Sequence, residues 1–114
     1  MKDCIFCKLM NREIPTEVIY EDEKCFAFRD INPQAPQHIL IIPKKHIPSL
    51  NEIKDESEEV LGHLLKVIPL IAEKLGLTEK GYRIVINCGK SAGQEVFHLH
   101  IHLLGGRKFS WPPG

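Results

Sequence analysis

Apolar runs separated by polar or glycine-bearing segments predict five β-strands. The third run is continuous, branched and ends at Pro43, which is typical of a strand buried on both faces. The first two runs flank a polar turn and suit a hairpin, and the short links favour antiparallel pairing. The predicted strands cover residues 18–20, 25–28, 38–42, 82–87 and 96–104.

Helical periodicity predicts two helices. A short one lies within residues 3–12, and a long one spans residues 55–75, with Gly76 just past its end. Pro69 lies inside the long helix, where it removes a backbone hydrogen bond and predicts a kink or a division into two segments. The expected fold class is α+β, with the helices packed on one face of the sheet.

The bulk composition excludes several classes of function. A chain of 114 residues has room for one compact domain, taken as residues 1–114. Fifteen basic residues balance fifteen acidic ones, so long nucleic acid is an unfavoured partner. We find neither a signal-peptide core nor an apolar run of membrane-spanning length, so a cytoplasmic location and no membrane partner are expected.

The four cysteines are expected to be reduced in that compartment. The spacing Cys4-x-x-Cys7 is then open to three interpretations, namely metal binding, redox chemistry or packing. Cys25 and Cys88 have no such spacing and are expected to be buried thiols.

The most specific signal is the alternation of His98, His100 and His102 with aliphatic residues. On a strand this puts three imidazoles on one face and three aliphatic side chains on the other. Neighbours on the face would lie about 6.6 Å apart and the outer pair about 13 Å apart, so all three can hardly reach one zinc ion. The row is better suited to divide the tasks of catalysis along an extended substrate, with one histidine attacking phosphorus.

The row resembles the signature of the histidine triad (HIT) superfamily. The segments around it resemble the Hint branch in particular, and nearly the whole chain is covered. These segments are residues 30–36, His38 with its aliphatic successors, residues 43–46, residues 104–107 and residues 111–114.

The resemblance implies the catalytic residues. His100 corresponds to the nucleophile that accepts the nucleotidyl group, and its attacking nitrogen must be unprotonated while the other ring nitrogen donates to a fixed acceptor. His102 corresponds to the residue that contacts the phosphate and the departing group, where an imidazolium would stabilise charge or protonate the amine. His38 corresponds to a histidine behind the nucleophile, although a core histidine would look the same.

A nucleotide site is also implied by the resemblance. Asp30 would accept the ribose hydroxyls, with a turn-capping role as the alternative. Glu95 stands where eukaryotic Hint proteins usually have Ser, so only its backbone amide is carried over, since a carboxylate beside phosphate is unfavourable. The implied purine wall consists of Ile5, Phe6, Leu9, Phe28 and Ile31, and the implied phosphate loop consists of Asn87, Gly93, Gln94 and Glu95.

Some bacterial members of the superfamily, and the related galactose-1-phosphate uridylyltransferases, combine a Cys-x-x-Cys pair with two histidines. By resemblance, a closed structural zinc site would then use Cys4, Cys7, His46 and His98. The alternative is a reduced thiol pair, with His46 at a strand end. His63, on the long helix, is expected at the surface or an interface.

The resemblance implies a phosphoramidase. The expected substrates are purine nucleoside 5'-monophosphoramidates and aminoacyl-AMP-like adducts, cleaved without a catalytic cofactor through a nucleotidyl-histidine. Two alternatives remain open, a dinucleoside polyphosphate hydrolase and a nucleotide- or zinc-binding interaction module. A homodimer that extends the five-stranded sheet across both copies is also implied.

Overall fold

The structure, a computed structural model, describes residues 3–114 and contains the two predicted helices and five predicted strands. Two single turns of 3-10 helix, Leu50–Glu52 and Lys90–Ala92, were not predicted. The helices are α1 (Ile5–Met10) and α2 (Glu58–Lys74), and the strands are β1 (Val18–Glu21), β2 (Cys25–Arg29), β3 (Gln37–Pro43), β4 (Tyr82–Val85) and β5 (Ile101–Gly105).

The five strands form one antiparallel sheet in the order β1-β2-β3-β5-β4. This confirms the predicted α+β class and antiparallel pairing. β3 lies at the centre, and its register pairs Leu40 with His102 and His38 with Leu104. β1 and β4 are the two edges of the sheet. No helix in residues 3–114 is both long and apolar enough to cross a membrane.

Each face of the sheet carries its own core and its own helix. Ile39 and Ile41 of β3 pack with α2, whereas Leu40 and Ile42 pack with Phe6 of α1. The prediction that both helices lie on one face is therefore wrong. The reason is the continuous apolar run of β3, which presents large side chains to both faces and so requires cover on both.

The long helix runs without interruption from Glu58 to Lys74, so the predicted division at Pro69 does not occur. Its N-cap is Ser57, whose hydroxyl accepts a hydrogen bond from the Glu59 amide. At the other end Gly76 has φ +73°, and the Leu77 amide donates to the Ala72 carbonyl at 2.8 Å. This left-handed ending confirms the predicted role of Gly76.

The last two strands are shorter than predicted. The ladder between β3 and β5 ends where Ile41 pairs with Ile101, and residues 96–100 belong to no strand. Beyond that point Leu99 donates from its amide to the Ile47 carbonyl at 2.6 Å. The chain turns after Pro43, so the segment that follows β3, and not β3 itself, accepts the hydrogen bond from Leu99.

Candidate active site and metal centre

The three histidines of the row face the same side of the sheet as α1, although only His102 lies within β5. The ring of Phe6 packs edge-on against His98 and His100, with centroids 5.9 Å and 5.1 Å apart. The intervening residues, Leu99, Ile101 and Leu103, belong to the α2-side core. The predicted alternation is thus present even where the regular ladder is absent.

The tautomer of His100 follows from its hydrogen bond. Its Nδ1 lies 2.8 Å from the carbonyl oxygen of His98, and a carbonyl can only accept. Nδ1 must therefore carry the proton, which leaves the lone pair on Nε2 of the neutral ring. His100 is buried except for 7% of its surface. This is the protonation pattern that a histidine nucleophile requires.

A second chain of hydrogen bonds orders His38 and His102. The Gln34 amide donates to Nδ1 of His38 at 3.0 Å, so the proton of neutral His38 lies on Nε2. That nitrogen is 2.9 Å from Nδ1 of His102, which accepts, and the proton of His102 therefore lies on its Nε2. The pKa of His102 is lowered to about 4, mainly by burial and also by the neighbouring imidazoles. His102 is therefore neutral at pH 7.

Asp30 contributes to the same end of the row. Its Oδ1 accepts from the Asn32 amide at 2.8 Å, which is the turn-capping role weighed against ribose binding. Its Oδ2 lies 3.6 Å from Nε2 of His38. One carboxylate oxygen is therefore used by the loop, and the other faces the histidines.

An apolar cavity of about 170 Å³ opens beside Asp30. All five residues of the predicted purine wall line it. Sequence reasoning missed five further lining residues, and only Leu40 had a usable signal, since alternation along β3 places it on the face of His38. The missed residues are Ile14, Pro15, Thr16, Arg29 and Leu40.

The predicted phosphate loop needs one correction. Gln94 is buried, and its amide group donates to the carbonyls of Pro48 at 2.8 Å and Val96 at 3.1 Å. Its Oε1 accepts from the Gly89 amide at 2.9 Å. The side chain therefore braces the loop, because its polar atoms have partners inside the protein. Gly93, with φ +96°, adopts a conformation that favours glycine.

The other two loop residues lie at the surface of the site. Asn87 is half-buried and follows β4 by two residues, and β4 ends where Val85 pairs with His102. Glu95 is exposed and lines a cleft of about 470 Å³ beside His46. Sequence reasoning left the Glu95 side chain without a role, and the structure places Glu95 in the lining of this cleft.

The Cys-x-x-Cys pair meets two histidines at the other end of the row. Sγ of Cys4 lies 3.2 Å from Nδ1 of His98, and Sγ of Cys7 lies 3.5 Å and 3.6 Å from Nδ1 of His46 and of His98. All four ligand atoms lie within 4.8 Å of one another. A tetrahedral zinc site with bonds of about 2.0–2.3 Å has edges of about 3.3–3.8 Å, so these residues fit such an ion.

A hydrogen bond to the backbone orients the His98 ring on the side away from the sulfur atoms. Its Nε2 lies 2.9 Å from the Pro43 carbonyl, so Nε2 donates and Nδ1 presents its lone pair to the two sulfur atoms. Burial is the main cause that lowers the pKa of His98 to about 4. Burial, with a contribution from Cys4, raises the pKa of Cys7 to about 11, so without a cation Cys7 is a thiol at pH 7.

The remaining cysteines and His63 lie away from the row. Cys25 is fully buried as predicted, whereas Cys88 is half-buried. Nε2 of His63 lies 2.6 Å from a carboxylate oxygen of Asp22, which joins α2 to the turn between β1 and β2. Sequence reasoning missed this pair, since nothing local links positions 22 and 63.

Residues 11–109 match the HIT domain family. This chain belongs to the HIT family. That confirms the family resemblance of the histidine row, and the match covers the row itself together with Phe28 and Ile31 of the predicted purine wall. The N-terminal Cys-x-x-Cys pair lies outside the matched residues.

Several relatives of this HIT-family chain are known over nearly its full length. An uncharacterised HIT-like protein of Synechococcus elongatus is 58% identical over 99% of this chain and 98% of its own. A HIT family hydrolase from Legionella pneumophila is 52% identical, with a TM-score of 0.95, covering 98% of this chain and all of its own. A histidine triad nucleotide-binding protein from Candida albicans is 36% identical, with a TM-score of 0.84, covering 96% of this chain and 83% of its own.

The lowered pKa of His102 predicts a pH dependence of stability. In the unfolded chain the imidazole takes a proton as the pH falls through about 6.5, whereas in the folded protein it resists protonation down to about 4. The free energy of unfolding should therefore fall between pH 6.5 and pH 4. In His102→Asn this fall should be shallower, as measured by urea denaturation at pH 7, 6 and 5. Equal slopes in the two proteins would contradict the assignment.

Proposed function

We propose that this protein hydrolyses purine nucleoside 5'-monophosphoramidates, including aminoacyl-AMP-like adducts, through a nucleotidyl intermediate on His100. The single observation that carries the proposal is the hydrogen bond from His100 Nδ1 to the His98 carbonyl, which leaves Nε2 free to attack. Relatives named as a hydrolase and as a nucleotide-binding protein support a nucleotide hydrolase in general.

The first half-reaction forms the bond between His100 Nε2 and phosphorus and breaks the P–N bond. The departing nitrogen carries a proton taken from solvent, so a neutral amine leaves. In the second half-reaction water attacks phosphorus, the Nε2–P bond breaks, and its electron pair returns to Nε2. The nucleoside monophosphate and a proton are released. No cofactor is needed for either step, because an imidazole is both a nucleophile and a leaving group.

The role of His102 differs from the imidazolium that the resemblance implied. Because its pKa is about 4 and its Nδ1 accepts from His38, we assign it a neutral Nε2–H that donates a hydrogen bond to the phosphate. His38 fixes the orientation of the His102 ring through the hydrogen bond from its Nε2 to Nδ1 of His102. Both residues belong to the proposed catalytic machinery, with only His102 in contact with the substrate.

The rest of the nucleotide lies along the α1 face in this proposal. The purine enters the 170 Å³ cavity, which opens beside Asp30, and Oδ2 of Asp30 accepts from the ribose. Asn87 and the backbone amide of Glu95 donate to the phosphate, since the loop runs directly into the histidine row and the Gly93 amide already donates to the Lys90 carbonyl. Gln94 holds the loop through its three hydrogen bonds.

Two alternatives are weaker. A dinucleoside polyphosphate hydrolase would use the same nucleophile, and the Trp111 tail, which resembles the Hint branch, favours the phosphoramidase. A nucleotide- or zinc-binding module without catalysis would have no use for a nucleophile held in one tautomer. Comparing the turnover of an AMP phosphoramidate with that of a diadenosine polyphosphate distinguishes the phosphoramidase from the dinucleoside polyphosphate hydrolase.

Trapping tests the covalent step. A nucleoside phosphoramidate labelled in its nucleotide should transfer label to the wild-type protein when the reaction is quenched in alkaline detergent, which preserves a phosphorylated histidine. His100→Ala should trap none, and the matched control His63→Ala, on α2, should trap as much as wild type. No label on the wild type would favour the binding module.

Because one hydrogen bond to a charged group is lost, His102→Asn should lower kcat about ten- to a hundredfold.

We further propose that the four Cys and His residues near α1 hold one structural zinc ion. The donor set and the tetrahedral spacing support this, and the four side chains leave no open coordination position for substrate. When bound, the ion would join α1 to the start of the histidine row. His98 also donates to the Pro43 carbonyl, so His100 keeps its partner if the metal is lost.

Metal removal should separate stability from turnover. Wild-type protein should contain about one zinc per chain by mass spectrometry, as should Cys88→Ser, whereas Cys7→Ser should lose the metal. A chelator should lower Tm but change kcat little while the protein remains folded. Turnover that falls in proportion to the metal removed, with the fold intact, would instead identify a catalytic ion.

We also propose a cytoplasmic homodimer that extends the sheet through β4. This strand is an edge with unpaired backbone groups, and such edges readily accept another strand. Beside it lies an apolar groove of about 160 Å³, where the Leu65 side chain is 58% exposed. A second copy would cover both features.

Light scattering tests the dimer. Wild type at micromolar concentration should have twice the chain mass of 13.0 kDa. Leu65→Glu should shift the protein towards the single-chain mass, because it places a charge in the groove. The matched control Leu70→Glu, on the same helix and 55% exposed, should not. A wild type of single-chain mass would contradict the proposal.

A further inference from the structure

A second cleft lies away from the histidine row, where the end of α2 meets the start of β4 and the end of β5. Its volume is about 480 Å³. Three basic side chains line it, together with three glycines and one leucine, and no acidic residue does. The lining residues are Gly76, Leu77, Lys80, Gly81, Gly106, Arg107 and Lys108.

The charge of this cleft comes from three cations that have no carboxylate partner in the part of the chain that the structure describes. Within residues 3–114, no acidic group lies at salt-bridge distance from Lys80, Arg107 or Lys108, whereas Lys24 and Lys44 are each paired. The chain has no net charge, so three uncompensated positive charges around one cleft are a local excess. Such an excess attracts anions.

Arg107 is held in place before any ligand arrives. Its Nε donates to the Gln34 carbonyl at 3.1 Å, and one terminal nitrogen donates to the Lys108 carbonyl at 3.0 Å. The guanidinium carbon also lies 4.3 Å from the centre of the Phe109 ring. A guanidinium has five N–H donors, so three remain for an anion, in a fork that suits phosphate oxygens.

The lining selects phosphate over a nucleobase. The backbone at Gly81 is open, with nothing within 4 Å of the position of a Cβ atom. Among the described residues that line the cleft, Leu77 is the only one with a large apolar side chain, and it packs against Gly105. Without an aromatic platform, a base would gain no stacking.

We propose that this cleft binds a small oligophosphate anion and that Arg107 transmits its presence to the catalytic histidines. The route consists of three hydrogen bonds, of which the first two are joined by the backbone of Gln34. Arg107 holds the carbonyl of Gln34, the Gln34 amide donates to Nδ1 of His38, and His38 contacts Nδ1 of His102 at 2.9 Å. An anion that draws on Arg107 shifts the backbone of Gln34, whose carbonyl and amide belong to neighbouring peptide groups, and with it the ring of His38.

The test uses the full chain and inorganic pyrophosphate. Site-resolved NMR separates the cleft, through the amides of Gly81 and Gly106, from the histidine site, through the amide of Gly93. The expected result is saturable shifts at Gly81 and Gly106 together with a change in the imidazole nitrogens of His38. Since neither readout measures turnover, the result does not depend on the proposed phosphoramidase.

A charge-matched pair of variants identifies the source of the His38 response. Lys80→Ala should weaken binding at the cleft about tenfold or more, because it removes one charged hydrogen bond, and it should move the midpoint of the His38 change to a correspondingly higher pyrophosphate concentration. Lys66→Ala, an exposed lysine on α2, should leave both unchanged. Shifts confined to Gly93, shifts at the cleft without a His38 response, or a His38 response whose midpoint is the same in wild type and Lys80→Ala would each overturn the proposal.

Discussion

The hydrogen bond between the His100 imidazole and the His98 carbonyl is the interaction on which the rest of the site depends. It requires a backbone carbonyl that is free of the sheet. The β3–β5 ladder ends at Ile101, and the chain before it bends at His98, so that carbonyl meets a side chain two residues further on. Inside a regular ladder the same carbonyl would bond a neighbouring strand. The short β5 is thus a condition for the nucleophile's tautomer.

The same histidine row serves different purposes along its length. His98 is buried and directs one nitrogen to two sulfur atoms and the other to the Pro43 carbonyl. His100 has one nitrogen held and one free, and His102 joins the chain that runs through His38 to the loop after Asp30. Phe6 packs against both His98 and His100, so α1 fixes the metal-side and catalytic parts of the row together. Three identical side chains differ in chemistry because their partners differ.

Local patterns predicted the elements that depend on local physics. Alternation placed the imidazoles on one face, and the uninterrupted run of β3 indicated burial on both sides. Other features depend on contacts between distant positions. The helices lie on opposite faces because β3 needs cover twice, the ladder stops early because Ile47 takes the Leu99 amide, and Gln94 turns inward to meet Pro48 and Gly89. The His63–Asp22 pair likewise has no signature in either segment.

Neutron crystallography of the deuterated protein near neutral pH tests the central claim most directly, because it locates the hydrogen on each imidazole. The account predicts a deuteron on Nδ1 of His100, directed at the His98 carbonyl, and none on Nε2. It also predicts a deuteron on Nε2 of both His38 and His102. A deuteron on Nε2 of His100 with Nδ1 bare would contradict the account, since the lone pair of the ring would then face the His98 carbonyl and not phosphorus.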